Sequence, residues 1–192
     1  MTKLLQAMGT DIQQTREQGL QKITKTQFLQ DYKVPAIQKM CRSITTPTEV
    51  FDSTLPTVGD IKRSYGEDFA QAYIETWIVN VCEFVNIGKN MSPSQIYETA
   101  SMIMDIYPYY KISDINLVFR KAKVGEYGQV YDRLDGQVIL SWFARYHKDR
   151  CAEAETLSIV EGNSMKERDT QIDEKVMKRI NELELQYKRN QR

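Results

Sequence analysis

The chain has 192 residues, of which 41% are hydrophobic and 27% are charged, a composition that excludes a disordered or fibrous protein and is typical of a globular one. Its 26 basic and 26 acidic side chains give a formal net charge of zero, so nucleic-acid binding through overall charge is excluded and only a local, weak or indirect contact is compatible with it. Only 5 prolines and 9 glycines interrupt the chain, and we therefore predict an all-α protein, a compact multi-helix domain with a separable C-terminal amphipathic helix.

Residues 1–54 are predicted to form an N-terminal helical segment with breaks. Gly9 and Gly19 interrupt a thin pattern of apolar residues, and a glycine costs about 1 kcal/mol within a helix. A helical pattern resumes over residues 26–40, where Pro35 forces a break or a new helix start.

Residues 55–155 carry the clearest helix signals, and we predict that they form the core domain. Thr57 and Asp60 are spaced as a capping box, in which each residue satisfies a backbone donor of the other. After Gly66, apolar residues recur at helical spacing on two adjacent stripes, which indicates a broad buried face centred on Trp77. The two stripes comprise Phe69, Tyr73, Trp77, Val81 and Phe84 or Val85, and beside them Ala70, Ile74, Ile78 and Cys82.

Three further helices are predicted in the same domain. Ser92 and the proline after it are typical of a helix start, and Pro108 ends that helix. The next helix begins near Asp114. A loop over residues 124–135 then leads to a helix that runs from Gly136 to about residue 150.

The composition changes after the core domain. Residues 156–169, which contain a glycine and an asparagine, are predicted to be a linker, and residues 170–192 a C-terminal amphipathic helix. The apolar residues of this helix step by 4, 4, 3 and 4, a coiled-coil-like seam of about two heptads. The helix either docks on the core domain or pairs with another chain, and homo-oligomerisation is one form of the second alternative. The seam consists of Ile172, Val176, Ile180, Leu183 and Tyr187.

The sequence lacks the residue patterns of an enzyme, and we predict no catalytic residue, no cofactor and no metal site. The single histidine, His147, has no nucleophile motif beside it, and no phosphate-binding or dinucleotide-binding glycine motif occurs. Asp132 and Asp135 are an acidic pair, but Asp135 is better explained as the cap of the helix at Gly136.

The expected compartment is cytoplasmic, without a membrane contact. No apolar stretch approaches the roughly 18 residues that suggest a membrane span, and the N-terminal residues lack the apolar region of a signal peptide. The three cysteines are far apart and odd in number, so they predict neither a zinc site nor a disulfide framework, and Cys82 is expected to be buried and reduced.

The strongest candidate for a binding surface is the turn between two predicted helices. Residues 111–150 contain eight basic and five acidic side chains, and several of the basic ones surround two tyrosines in this turn. Cations can neutralise phosphates and tyrosines can stack on unpaired bases, although cations at a helix C-terminus also interact favourably with the helix dipole without any ligand. The candidate contact residues for nucleic acid or a partner are Arg120, Lys121, Lys123, Tyr127, Tyr131 and Arg133.

The segment FRKAKVGEYGQVYDRLDGQ at residues 119–137, with Asp114 before it, resembles a family of helical proteins from phages and mobile elements. The stretch LPTVGDIKRSYGEDF also resembles that family, so that the likeness covers about residues 55–155. It implies no activity of its own. Such proteins are loosely similar to replisome organisers and helicase loaders, which implies a role as a non-ATPase scaffold in DNA replication.

Two functional hypotheses follow. The first is a non-enzymatic accessory protein of DNA replication in a phage or mobile element, which binds DNA, a replicative helicase, or both through the basic turn. The second is a structural or regulatory interaction module that assembles through its C-terminal helix, with the basic turn serving only the fold.

Overall fold

The computed structural model describes residues 23–85, 88, 90–130 and 133–190, and in 167–174 and 183–190 it describes the backbone alone. These residues contain eight helices and no strand, which confirms the all-α prediction. The helices are α1 (Lys25–Asp31), α2 (Val34–Met40), α3 (Pro47–Phe51), α4 (Val58–Tyr65), α5 (Glu67–Val85), α6 (Pro93–Ile106), α7 (Ile112–Lys123) and α8 (Gly136–Asn190).

The chain divides into two compact units, Met1–Arg150 and Cys151–Arg192. Within unit 1, α5 is the central helix, and the Trp77 side chain is 1% exposed, as predicted. The Trp77 ring stacks on that of Phe119 from α7, with centroids 6.3 Å apart. Cys82 is buried, and of the predicted alternatives Phe84 and Val85, Val85 packs against the core whereas Phe84 is 59% exposed.

The predicted helix caps are present. The Asp60 amide donates to Thr57 Oγ1 at 3.0 Å, and the Thr57 amide donates to Asp60 Oδ2 at 2.8 Å. Ser92 caps α6 in the same reciprocal way. Asp135 Oδ1 accepts from the Val138 amide at 3.0 Å, which confirms Asp135 as the cap of α8. Such caps depend on residues three positions apart, and this is why the sequence predicts them well.

The predicted boundary at residue 54 does not separate two bodies. The described residues 23–54 form three short helices, and Phe28, Ile37 and Val50 are fully buried in the same core as Trp77. The apolar residues of this segment are too few to bury each other, so they pack against α5 and α7 instead.

The predicted linker at residues 156–169 is wrong, because α8 is helical throughout this range. Gly162 and Asn163 each weaken a helix by only about 1 kcal/mol or less, and the alanine, glutamate, lysine and methionine residues around them favour it. The buried residues of α8 end at Tyr146, so the division into units reflects packing and not a break in the helix.

None of the helices in the described ranges combines the length and the apolar character that crossing a membrane requires.

Candidate functional site

The basic end of α7 carries three of the predicted contact residues, and two of them point to different neighbours. Arg120 Nη1 donates to the backbone carbonyls of Arg42 at 2.9 Å and Ile44 at 3.0 Å, which ties α7 to the turn after α2. Lys121 Nζ lies 3.0 Å from Glu126 Oε2 and forms an ion pair with it. Lys121 is therefore paired with a carboxylate, whereas Arg120 has no ion-pair partner among the described residues.

Lys123 is held by neutral groups. Its ammonium donates to Asn80 Oδ1 at 2.6 Å and lies 5.1 Å from the ring centroid of Phe84. Burial lowers the pKa of Lys123, and the nearby Glu83 carboxylate opposes that shift. The Lys123 ammonium is thus partly removed from water. It forms no ion pair among the described residues.

Of the two predicted stacking tyrosines, Tyr127 packs against its own neighbours. The Tyr127 ring stacks on that of Trp142 with centroids 6.4 Å apart, and its hydroxyl is buried without a hydrogen-bond partner among the described residues. Burial also raises the pKa of this hydroxyl. Arg133 is 71% exposed, with its Nε 3.2 Å from Asp135 Oδ2. Tyr131 lies outside the described residues.

The five predicted contact residues that the structure describes therefore do not form one surface. Arg120 and Lys123 share a cleft, whereas Lys121, Tyr127 and Arg133 are engaged by neighbours elsewhere on the domain. The reason is helical geometry, since Lys121 and Lys123 are two residues apart on α7 and point to different sides of it.

We name the space beside Arg120 and Lys123 the cationic cleft. It has a volume of about 510 Å³ and opens between the end of α2, the end of α5 and one face of α7. Three cations and no carboxylate line it, in a protein whose net charge is zero. The cationic cleft is lined by Gln38, Arg42, Phe84, Asn116, Phe119, Arg120, Lys123 and Val124.

Asn116 gives the cleft a polar group on its inner wall. The residue is only 4% exposed, and it lines the cleft. Asn116, Arg120 and Lys123 are spaced by four and three residues, which places them on one face of α7.

Comparison with known proteins gives a family. A model of a family of unknown function, DUF6633, matches residues 90–189, just over half of the chain. The chain belongs to the DUF6633 family. No curated protein and no solved structure matches it.

The DUF6633 region contains only part of the cleft. Asn116, Arg120 and Lys123 lie within the matched residues, whereas Arg42 and Phe84 precede them. Sequence reasoning missed Arg42 and Phe84, because they belong to other helices and approach α7 only in the fold. The spacing of Asn116 from Arg120 and Lys123 was the one available signal.

The DUF6633 region also includes most of unit 2, where part of the predicted seam is described. Val176 and Ile180 are exposed, whereas the side chains of Ile172, Leu183 and Tyr187 lie outside the described residues. Other large apolar side chains of this unit are exposed as well, among them Ile159, Val160, Met165 and Met177.

The predicted absence of a metal site can be examined for the described ranges alone. There, no group of three or more histidine, cysteine, aspartate or glutamate side chains is arranged to hold a metal ion. His147 Nδ1 lies 3.4 Å from the hydroxyl of Tyr109, and its ring packs among tyrosines of unit 1.

Proposed function

We propose that this DUF6633 protein is a non-enzymatic accessory protein that binds nucleic acid, with a backbone phosphate held in the cationic cleft. One observation carries the proposal: Arg42, Arg120 and Lys123 line a single cleft whose lining contains no carboxylate. Phosphate groups are attracted to such a local excess of positive charge even when the whole molecule is neutral.

The partners of these cations support the proposal. Arg120 and Lys123 are held by carbonyl and amide oxygens, which fix their positions without cancelling their charges. Arg42 makes no ion pair through its side chain among the described residues. Because the cations are already in place, binding an anion costs less side-chain entropy than it would with free surface lysines.

Phe84 favours an unpaired strand over a duplex. Its ring is 59% exposed at the rim of the cleft. Aromatic rings stack on unpaired bases without strong sequence preference, and base stacking contributes about 1–3 kcal/mol per base. A phosphate in the cleft and a neighbouring base on Phe84 would together hold a single strand.

The biological setting comes from the resemblance alone. The likeness to replisome organisers and helicase loaders makes DNA replication in a phage or mobile element the proposed context, with a replicative helicase as the proposed protein partner. The cleft suits the DNA contact of such a protein, and no feature of the described residues identifies the helicase contact.

The test is fluorescence anisotropy with a labelled single strand and a duplex of the same sequence, titrated at several salt concentrations. We expect the single strand to bind more tightly. Arg42→Ala and Lys123→Ala should each weaken binding and flatten the plot of log affinity against log salt by about 0.7 to 1. Phe84→Ala should weaken binding of the single strand with little change in that slope.

Lys121→Ala is the matched control. It removes one lysine from the same helix turn, but that lysine is paired with Glu126 and does not line the cleft. The proposal is wrong if the wild-type protein binds neither nucleic acid at low salt, or if Lys121→Ala weakens binding as much as Lys123→Ala does.

A further inference from the structure

The helix of unit 2 has an apolar face that its own neighbours do not cover. Ile159, Met165, Val176, Met177 and Ile180 are all exposed. At 100° per residue they fall within a sector of roughly 120°, whereas the equally exposed Val160 lies on the opposite side. The helix register also places Lys166, Asp169 and Asp173 in this sector, so the face is apolar at its two ends, near residues 159–165 and 176–180, and charged between them.

The charges along this helix are unevenly distributed between its two ends. Residues 151–165 contain three glutamates and no lysine or arginine, whereas residues 175–189 contain five cations and two glutamates. Two parallel copies would bring glutamates next to glutamates and cations next to cations, which is unfavourable at both ends. Two antiparallel copies would bring each acidic end next to a basic end.

The positions of the apolar residues favour the same arrangement. Ile159 and Ile180 lie at nearly equal sequence distances on either side of position 170, and so do Met165 and Val176. An antiparallel pair centred there would therefore place the apolar end of each copy opposite the other apolar end of its partner, with Lys166 of one copy close to Asp173 of the other between these ends. Methionine adapts its shape to such a contact more readily than a branched side chain does.

Two charged residues at one edge of the apolar face, Glu161 and Arg179, are placed to pair between two antiparallel copies. Glu161 and Arg179 are about five helical turns apart and therefore lie on the same edge of the apolar face. In an antiparallel pair related by a two-fold axis, the same edge of each helix meets, so that Glu161 of one copy lies opposite Arg179 of the other. Among the described residues of its own helix, Arg179 makes one long contact of 3.4 Å, with Glu182, and the two side chains are 65% and 49% exposed.

We propose that two copies of this protein associate through an antiparallel pairing of their unit 2 helices, centred near position 170, with Glu161 of each copy facing Arg179 of the other. The proposal uses none of the residues of the cationic cleft. Self-association and nucleic-acid binding can therefore be tested, and can fail, independently.

Sedimentation of the full chain over a range of concentrations tests self-association. We expect a dimer for the wild type, and a monomer for Val176→Asp, which places a charge in the apolar face. Val160→Asp is the matched control on the opposite side of the helix and should remain dimeric. A wild-type chain that is monomeric at all concentrations, or equal weakening by both variants, would overturn the proposal.

Charge exchange tests the register. Glu161→Lys and Arg179→Glu should each weaken the dimer about tenfold, because two symmetry-related attractions become repulsions. The double variant should restore the wild-type dimer. Failure of the double variant to recover, with helicity preserved in all three chains, would contradict the proposed pairing.

Disulfide trapping tests the direction. In a Cys151→Ser background, chains with Glu161→Cys should crosslink to chains with Arg179→Cys when the two are mixed and oxidised. Preferential crosslinking of Glu161→Cys chains to each other would indicate parallel helices and overturn the proposal. The buried cysteines Cys41 and Cys82 do not compete, since neither is accessible in the folded protein.

Discussion

Asp114 is a carboxylate without solvent exposure, and it is fully hydrogen bonded. Its Oδ1 accepts from the Tyr146 hydroxyl at 2.7 Å and from Arg150 Nε at 2.9 Å, and its Oδ2 accepts from the Lys111 amide at 2.8 Å. The Arg150 guanidinium also lies 4.8 Å from the ring centroid of Phe51. The Asp114 carboxylate therefore joins the first turn of α7 to α8. Its negative charge is needed because the Arg150 cation that it pairs with is itself largely buried.

Replacing Asp114 with asparagine should lower the free energy of unfolding of unit 1 by about 3–5 kcal/mol, since the substitution leaves the Arg150 cation without its partner. Urea unfolding followed by circular dichroism measures the loss. Tyr146→Phe removes one hydrogen bond to the same carboxylate and should cost less, about 1–3 kcal/mol. Equal stability of Asp114→Asn and the wild type would show that the ion pair does not hold the helices together.

Lys121 and Lys123 are the same residue type and are close in the sequence, but the sequence does not determine which partner each of them contacts. The sequence presents them as equivalent members of a basic turn, and the fold gives one an acidic partner and the other an amide. Both environments depend on which side of α7 each lysine occupies, and on the residues that other elements bring there.

At the scale of elements, the start of α8 depends on a close approach to α6. A Cβ atom added to Gly136 would lie 2.5 Å from Thr99 Oγ1. Thr99 is buried, and its hydroxyl donates to the Gln95 carbonyl at 2.7 Å, so it cannot move aside easily. Glycine is required here because a side chain would not fit beside Thr99.

Gly136→Ala should destabilise unit 1 by about 1–3 kcal/mol, the usual cost of overpacking. Thermal denaturation measures it. Thr99→Ala removes the clashing oxygen, so the double variant should be more stable than the sum of the two single effects predicts. Strict additivity would mean that the approach to Thr99 does not cause the loss.

Gly162→Ala, where an added Cβ meets nothing within 4 Å, should instead raise helix stability by about 0.5–1 kcal/mol.

At the scale of the whole molecule, the two units have different sources of stability. The buried hydrophobic residues of the described chain all lie between Phe28 and Tyr146, within unit 1. The described side chains of unit 2 are exposed or half-buried, so its helix depends on local propensity and, as proposed above, on pairing with a second copy.

A chain shortened to end at Glu155, which retains Arg150, should therefore fold cooperatively. We expect it to bind a single strand with the affinity of the full chain and to be monomeric. Circular dichroism, anisotropy and sedimentation give the three measurements. If the shortened chain is unfolded, unit 1 depends on residues beyond 155; if it still forms a dimer, the contact between copies lies outside the unit 2 helix.

The sequence was sufficient for helices α4 to α7 and the start of α8, for the caps at Thr57, Ser92 and Asp135, and for the buried face around Trp77. These features depend on residues within a few positions of one another, and periodicity records them directly. The continuity of α8 was not predicted because Gly162 and Asn163 are typical of loops. Each of them lowers the stability of the helix only slightly.

The cationic cleft was decided only by the tertiary structure. Arg120 bonds to carbonyls that lie 76 and 78 residues away along the chain, and Lys123 to an amide 43 residues away. No local sequence pattern predicts these long-range contacts, because they form when α2 and α5 pack against α7 around a shared core. Charge and spacing along the chain were therefore enough to find basic residues, and packing alone determined which of them kept an unbalanced charge at the surface.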